Sequence, residues 1–492
     1  MILRRFLLAL ILAFLPMGGF AANAAAEAAP RNVLLVVFDD LSPHLSFLGT
    51  PGIETPNFDR LARAGVYFES AFATAASCAP ARTSILTGMY PHGHGTWRNV
   101  HTPPLNSPEK DFGPETSVRD AVGIGPDIPT LVELLREAGV YTGITQKLHL
   151  SPVWRYPFEG RDAVQSTPEG FRAAMRRMLR EAGGRPFFIQ ANIAAPHRPY
   201  HVHLNRNPEQ PLPDADRIAL PPFLPDLSAV RRDMQRYFAS AEIGDACLGA
   251  ILEALEASGR AGETLIIATS DHGMPIHHAK ASAYPGGTHI PLAVTGPGVD
   301  GKRRVPAPVS QVDFMPTILE TMGLEVPPEV EGLSLWPVLE GGASVPGRRY
   351  VFAEHNSHGP ARPEHFPQRA ITDGRWYLVQ NLRPEKAQLL PADLRGVEPW
   401  GNEAYQAIVD HADAFPFQSR FLTRFADPPR PETELFFMEG DPWGLFDLAD
   451  DPTTTGVLRR MQRALDAWRK ATGDIKASPT EIPGHGDDGK AG

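Results

Sequence analysis

Cysteine is almost absent from this chain: Cys78 and Cys247 are the only two among 492 residues. A disulfide framework of the kind that staples small exported domains is excluded, and if one thiol is consumed by chemistry no pair remains to be joined. Positive charge is short as well. Lys and Arg number 47 against 57 Asp and Glu, a net charge of -10, so the broad basic face that a nucleic-acid partner needs is missing and any cationic site must be a local pocket. Hydrophobic content of 42% with 21% charged residues excludes both a disordered chain and a multi-span membrane protein. No internal repeat is visible.

What is present begins at the N-terminus. Met1 to Arg5 carry positive charge, Phe6 to Leu15 form a short apolar run, and Pro16, Gly18, Gly19 and an alanine-rich stretch follow. That order reads as a cleavable secretory signal over residues 1–26, cut after Ala22, Ala24 or Ala26, which places the mature protein in the periplasm or outside the cell. An uncleaved anchor is the alternative, and the apolar run is short for it. No cysteine lies near the cut, which speaks against a lipoprotein.

The length suits one large domain and a smaller companion. Asn32 to Phe38 is a continuous Val/Leu-rich run of the type that forms a parallel strand buried on both faces, and it ends in Asp39-Asp40. The pattern returns at Val140 to Ile144, followed by Lys147 and His149; at Phe187 to Ile193, followed by His197; and at Leu265 to Thr269, followed by Asp271-His272. Helical patterns such as Phe58 to Ala64 and Thr130 to Ala138 lie between. This alternation predicts an α/β fold with a large, mostly parallel sheet sandwiched by helices over residues 27–342. Ligands in such sheets bind beyond the carboxyl ends of the strands, where four runs here place ionisable residues. Residues 343–475 have shorter strands, Pro-rich joins and a final amphipathic pattern from Val457 to Ala471, which predicts a smaller C-terminal α+β domain. Residues 476–492 have the composition of a disordered tail. Cys247 sits among Met234, Phe238, Leu248, Ile251 and Leu255 at helical spacing and reads as a buried core thiol.

The most informative stretch is Cys78-Ala79-Pro80-Ala81-Arg82, continuing to Thr87-Gly88. Pro80 suits the first turn of a helix, so Cys78 faces a helix N-terminus whose N–H groups favour an anion, and Arg82 lies one turn on. This Cys-x-Pro-x-Arg run resembles the signature of the formylglycine-dependent sulfatases. Other landmarks occur in order: Asp39-Asp40, Lys147-Leu148-His149, His197 after Pro196, Asp271-His272-Gly273, and Lys280 ahead of Tyr284-Pro285-Gly286-Gly287.

The resemblance implies an alkaline-phosphatase-like fold and a sulfuric ester hydrolase. It implies that Cys78 is oxidised by a formylglycine-generating enzyme to 3-oxoalanine (formylglycine), whose hydrate is the nucleophile. It implies Ca2+ held by Asp39, Asp40, Asp271, His272 and the modified Cys78; His272 stands where the family often has Asn. Arg82 and Lys147 would hold sulfate charge, Lys280 and His197 would assist the leaving group, and His149 would take a proton as sulfate departs.

Within the family the closest resemblance is to the sulfamidase-like group that acts on N-sulfoglucosamine. It rests on Ser77-Cys78, Pro196-His197-Arg198, Gln311 to Thr317 and the late Asp441-Pro442-Trp443 and Asp450-Asp451-Pro452. It is uneven, with Ala195 and Lys280 where that group has Asp and Arg. A sulfated saccharide from glycosaminoglycan degradation is the implied substrate, with Arg198, His355 and His358 as candidate contacts. A generic arylsulfatase or phosphonate/phosphate ester hydrolase on the same scaffold is the alternative within enzymes. A non-catalytic glycan-binding protein is the alternative if Cys78 stays a thiol.

Overall fold

The computed structural model describes residues 30–114, 122–359, 365–386, 390–396, 402–423 and 429–474. The expected signal segment and the tail from residue 476 lie outside the described residues.

The runs read as buried strands form the centre of an eight-stranded sheet. Its spatial order is Arg303–Val305, Val66–Phe68, Leu292–Thr295, Thr264–Ser270, Asn32–Phe38, Phe187–Ile193, Tyr141–Thr145 and Gly160–Asp162. The last five run parallel, while Leu292–Thr295 is antiparallel to both of its neighbours. Every residue of Asn32–Phe38 is buried, and the strand divides its side chains between two cores. Leu34, Val36 and Phe38 pack with Phe171, Met175, Leu248 and Ile251 of the helices Pro168–Ala182 and Ser228–Ala257. Val33, Leu35 and Val37 pack with Ile85, Leu131 and Phe314 of Cys78–Thr87, Leu131–Glu137 and Phe314–Thr321. Alternation of side chains on a strand sheathed by helices on both faces is why the run is apolar without interruption.

A second, antiparallel sheet follows in the order Val351–Ser357, His365–Thr372, Trp376–Asn381 and Thr433–Phe437. Ile371, Leu378 and Leu435 on one face meet Met461 and Leu465 of the terminal helix Thr455–Thr472. Ala370, Tyr377, Val379 and Phe436 on the other face join the core that contains Leu34 and Phe38. The C-terminal part therefore does not close on itself: half of its sheet completes the core of the larger part. Glu354, His355, Asn356 and Ser357 belong to its first strand.

Candidate active site

The four runs that end in ionisable residues are neighbours in the sheet and point the same way. Asp39-Asp40, Lys147 and His149, His197, and Asp271-His272 therefore share one edge. Two of these residues hold positive φ, Asp40 at 68° and His149 at 54°, as does Ala281 at 61° beside Lys280. Such backbone is uncommon for residues with a Cβ and is held only where the surroundings over-determine it.

Facing this edge is the helix Cys78–Thr87, which has Cys78 as its first residue and Pro80 in its first turn, as expected, and ends on left-handed Gly88. Ser77 occupies the cap position but makes no side-chain cap bond. Asn99 does the capping, its Oδ1 accepting from Ala79 N at 2.9 Å. All ten residues of the helix are buried. Residue 78 is thus fixed at a helix N-terminus, where N–H groups and the dipole favour negative charge.

Around Cys78 Sγ, Asp39 Oδ1 lies at 3.6 Å and His272 Nε2 at 3.4 Å. Burial would push this thiol up, but Lys147, Lys280, His272 and a hydrogen bond from His149 hold it well below its ordinary value. Lys147 Nζ donates to Asp39 Oδ2 at 2.6 Å. Arg82, fully buried, reaches Asp271 at 3.0 Å and Asp39 at 3.5 Å. Lys280 Nζ donates to Asp40 Oδ2 at 3.0 Å and lies 3.4 Å from His197 Nε2.

The two imidazoles are driven apart. Burial, helped by Lys147, lowers His149 below its ordinary value, whereas Asp40 and Asp39 raise His197 against burial and Lys280. One imidazole biased toward its neutral form and one biased toward its protonated form, both beside residue 78, suit the base and the acid that group transfer requires. Lys280 stays an ammonium: burial opposes this, but Asp393 and Asp40 lift it well above its ordinary range.

A divalent cation fits these residues. Asp39, Asp40 and Asp271 bring three buried carboxylates together, and Asp40 Oδ1 has no hydrogen-bond partner among the described residues. Ligand atoms of Asp39, Asp40, Cys78 and His197 lie within 4.8 Å of one another, as do those of Cys78, Asp271 and His272. The expected ligands are brought together as two sets sharing residue 78, and His197 joins the first, which the sequence alone does not suggest. Oxygen-rich donors of this kind suit a hard cation.

A sulfatase family profile matches residues 31–324. The chain belongs to the sulfatase family. It is a sulfuric ester hydrolase. Over 91% of its length it is 27% identical to N-sulphoglucosamine sulphohydrolase of Homo sapiens, of which it covers 91%. It is also 27% identical, over 90% of its length, to an ulvan-active sulfatase of Formosa agariphila, covering 75% of that chain. Among solved structures, an enzyme in complex with its substrate D-glucosamine-2-N,6-O-disulfate superposes with a TM-score of 0.65 at 18% identity, over 92% of this chain and 100% of the other; at that identity the likeness speaks for the fold.

For a sulfatase site, the C-terminal contacts are arranged differently from the sequence's expectation. His358 lies against the start of the signature helix: its Nδ1 pairs with Ser77 Oγ at 2.9 Å and its Nε2 meets Asn99 Nδ2 at 3.1 Å. His355 is buried at 2% exposure; burial and the nearby His358, His365 and Arg430 hold it neutral. Arg198 requires a correction. It is 2% exposed, its Nη1 and Nη2 both donate to Asp233, its Nε donates to Pro275 O, and it lies 4.4 Å above the Tyr200 ring. A guanidinium committed in this way braces the loop after His197 rather than reaching a sugar.

Two residues of the site are missed by sequence reasoning. Asn99 follows no recognisable motif. Asp393 lies between Pro-rich joins and forms an ion pair with Lys280 at 2.9 Å; a lone Asp in a loop carries no signal of that.

Proposed function

We propose that this sulfatase removes sulfate from a sulfated sugar, with the N-sulfate of glucosamine in heparin or heparan fragments as the leading case, and that it does so outside the cytoplasm. The observation that carries the reading is the ring of cationic and imidazole groups, Arg82, Lys147, His149, His197 and Lys280, around residue 78 at a helix N-terminus. The match to N-sulphoglucosamine sulphohydrolase along nearly the whole chain supports the sugar. The signal-like N-terminus supports export, since polyanionic saccharides do not cross a membrane unaided.

Residue 78 is read as formylglycine, so Cys78 Sγ stands where an oxygen of the oxidised residue would lie, and addition of water to that aldehyde would supply the nucleophilic hydroxyl of its hydrate. Asp39, Asp40, Asp271 and His272 are read as holding Ca2+, which would polarise the oxygens of residue 78 and of the sulfate. The remaining work belongs to side chains of this chain. Lys147 and Arg82 hold the negative charge of the sulfuryl group. His197, biased toward its protonated form by Asp40 and Asp39 against burial and Lys280, gives its proton to the departing oxygen or nitrogen, and Lys280 donates a hydrogen bond to the same atom without surrendering a proton. His149, neutral and hydrogen-bonded to residue 78, accepts the proton released as sulfate is expelled. His358 flanks the entrance as a sugar contact.

The test is sulfate release from N-sulfoglucosamine, 6-O-sulfoglucosamine, an aryl sulfate and an aryl phosphate. Turnover of a sulfated glucosamine above the aryl sulfate is expected. Turnover of the aryl sulfate alone would replace the reading with a generic arylsulfatase, and preference for the phosphate with a phosphoesterase.

A further inference from the structure

Lys280 is 1% exposed and lies between two carboxylates, Asp40 Oδ2 at 3.0 Å and Asp393 Oδ2 at 2.9 Å. Asp40 belongs to the strand edge; Asp393 comes from the short segment 390–396 that follows the third strand of the C-terminal sheet. Through Lys280, Asp393 is one side chain away from His197. Burial alone would raise its carboxyl, but Lys280, His358 and His197 hold it well below the ordinary carboxylate range, so it is an anion at any working pH.

We propose that Asp393 is a specificity-determining residue of this sulfatase, accepting hydrogen bonds from the hydroxyl or N–H groups beside the sulfate of a sugar substrate while holding Lys280 toward the leaving atom. The inference rests on the saccharide reading above and names the residue that enforces it. Three observations carry it. First, Oδ2 of Asp393 is engaged by Lys280, and the Asp393 side chain retains 8% exposure beside it. Second, Asp39, Asp40 and Asp271 are the carboxylates read as holding the cation, whereas Asp393 lies beyond Lys280 from them; a carboxylate there repels sulfate and faces a donor-bearing part of the substrate. Third, the strand-edge segment supplies no acceptor of this kind just before His197: Ala195, two residues earlier, has no polar side-chain atom and is buried in the core. A polyhydroxylated ring leaving past His197 and Lys280 therefore meets Asp393 as an anionic acceptor, and it belongs to the C-terminal part.

A site built to bind a donor discriminates strongly against analogues that lack it, because its own polar group is then left buried and unmatched. The competing role is purely structural: Asp393 could serve only to neutralise Lys280 when Asp40 is engaged by a cation. Kinetics on substrates with and without adjacent donors separate the two.

The full-length, calcium-supplemented enzyme and its Asp393→Asn and Asp393→Glu variants should be assayed on N-sulfoglucosamine, 6-O-sulfoglucosamine and p-nitrophenyl sulfate, with thermal melting to confirm folding. Asp393→Asn should raise KM for the sulfated sugar about 10-fold or more beyond any rise for the aryl sulfate, with kcat falling less than KM rises. Asp393→Glu should recover part of the sugar KM. Equal losses on sugar and aryl sulfate in Asp393→Asn would reduce Asp393 to a partner of Lys280 and overturn this inference alone. A wild-type enzyme that turns over the aryl sulfate and no sulfated sugar would overturn the saccharide reading, and this inference with it.

Discussion

Arg82 Nε donates to Asp271 Oδ2 at 3.1 Å and its Nη2 lies 3.0 Å from the same oxygen as an ion pair, with neither side chain exposed. The guanidinium of the signature helix is thus the counter-charge of a carboxylate that arrives from a distant strand, and helix and sheet edge are tied at the point of chemistry.

Removing one partner of a buried pair leaves an uncompensated charge. Arg82→Ala should cost about 3–5 kcal/mol in urea unfolding and abolish turnover. Arg82→Met combined with Asp271→Asn should recover much of that stability and none of the activity. A cost well under 1 kcal/mol for Arg82→Ala would show that the pair does not hold the fold together.

The two cysteines should behave oppositely. In protein made alongside a formylglycine-generating enzyme, mass spectrometry of the peptide spanning residue 78 should show the aldehyde or its hydrate, and Cys78→Ala should fold and be inactive. Cys247, fully buried in the helix Ser228–Ala257 and with its thiol pushed up by burial, should stay a thiol; Cys247→Ala should lose stability and keep turnover. Active protein with an unmodified Cys78 would refute the nucleophile.

Three buried carboxylates, with Asp40 Oδ1 3.3 Å from His272 Nε2 and without a hydrogen bond among the described residues, predict about one divalent ion per chain by elemental analysis. Calcium at 100 times its Kd should stabilise the metal-stripped protein by about 2.7 kcal/mol, read as a rise in Tm. Asp40→Asn should weaken that response sharply. An equal rise in Asp40→Asn would place the ion elsewhere.

Gly287 is required by close approach rather than by its φ. A Cβ there would stand 2.1 Å from Ala279 O and 2.8 Å from Ala76 Cβ, so Gly287→Ala must push the turn that carries Lys280 away from the site. A misplacement of about 1 Å can cost roughly 100-fold in rate, and a loss of that order in kcat/KM is expected, larger than the accompanying fall in Tm would explain.

Glu242 supplies a pH signature remote from the chemistry. Burial raises its carboxyl from 4.5 to about 7, although it accepts from Glu54 N and Gln210. The folded state therefore holds the proton more tightly than the unfolded chain, so this residue's contribution to stability falls as pH rises from 4.5 to about 7. Glu242→Gln should raise the urea midpoint at pH 8, with an advantage that shrinks at pH 5. A constant difference at both would remove ionisation as the cause.

Much of the molecule is determined by short-range pattern. An uninterrupted Val/Leu run such as Asn32 to Phe38 can be satisfied only by burial on both faces, and Cys78-x-Pro80-x-Arg82 specifies a helix start with a cation one turn away; both depend on residues within a few positions of one another. Four parallel strands then bring Asp39, Lys147, His197 and Asp271 to one edge, which their positions after the runs already announce. The tertiary structure alone decides which side chains are spent and which remain available. Arg198 looks like a substrate contact beside His197 until Asp233, on a helix 35 residues away, takes its guanidinium. His358 reaches Ser77 across 281 residues of chain, and Asp393 reaches Lys280 from a loop with no motif. Charge pairing acts through space and leaves no periodicity in the sequence, so these partners are settled only when the C-terminal sheet docks on the larger one and completes its core.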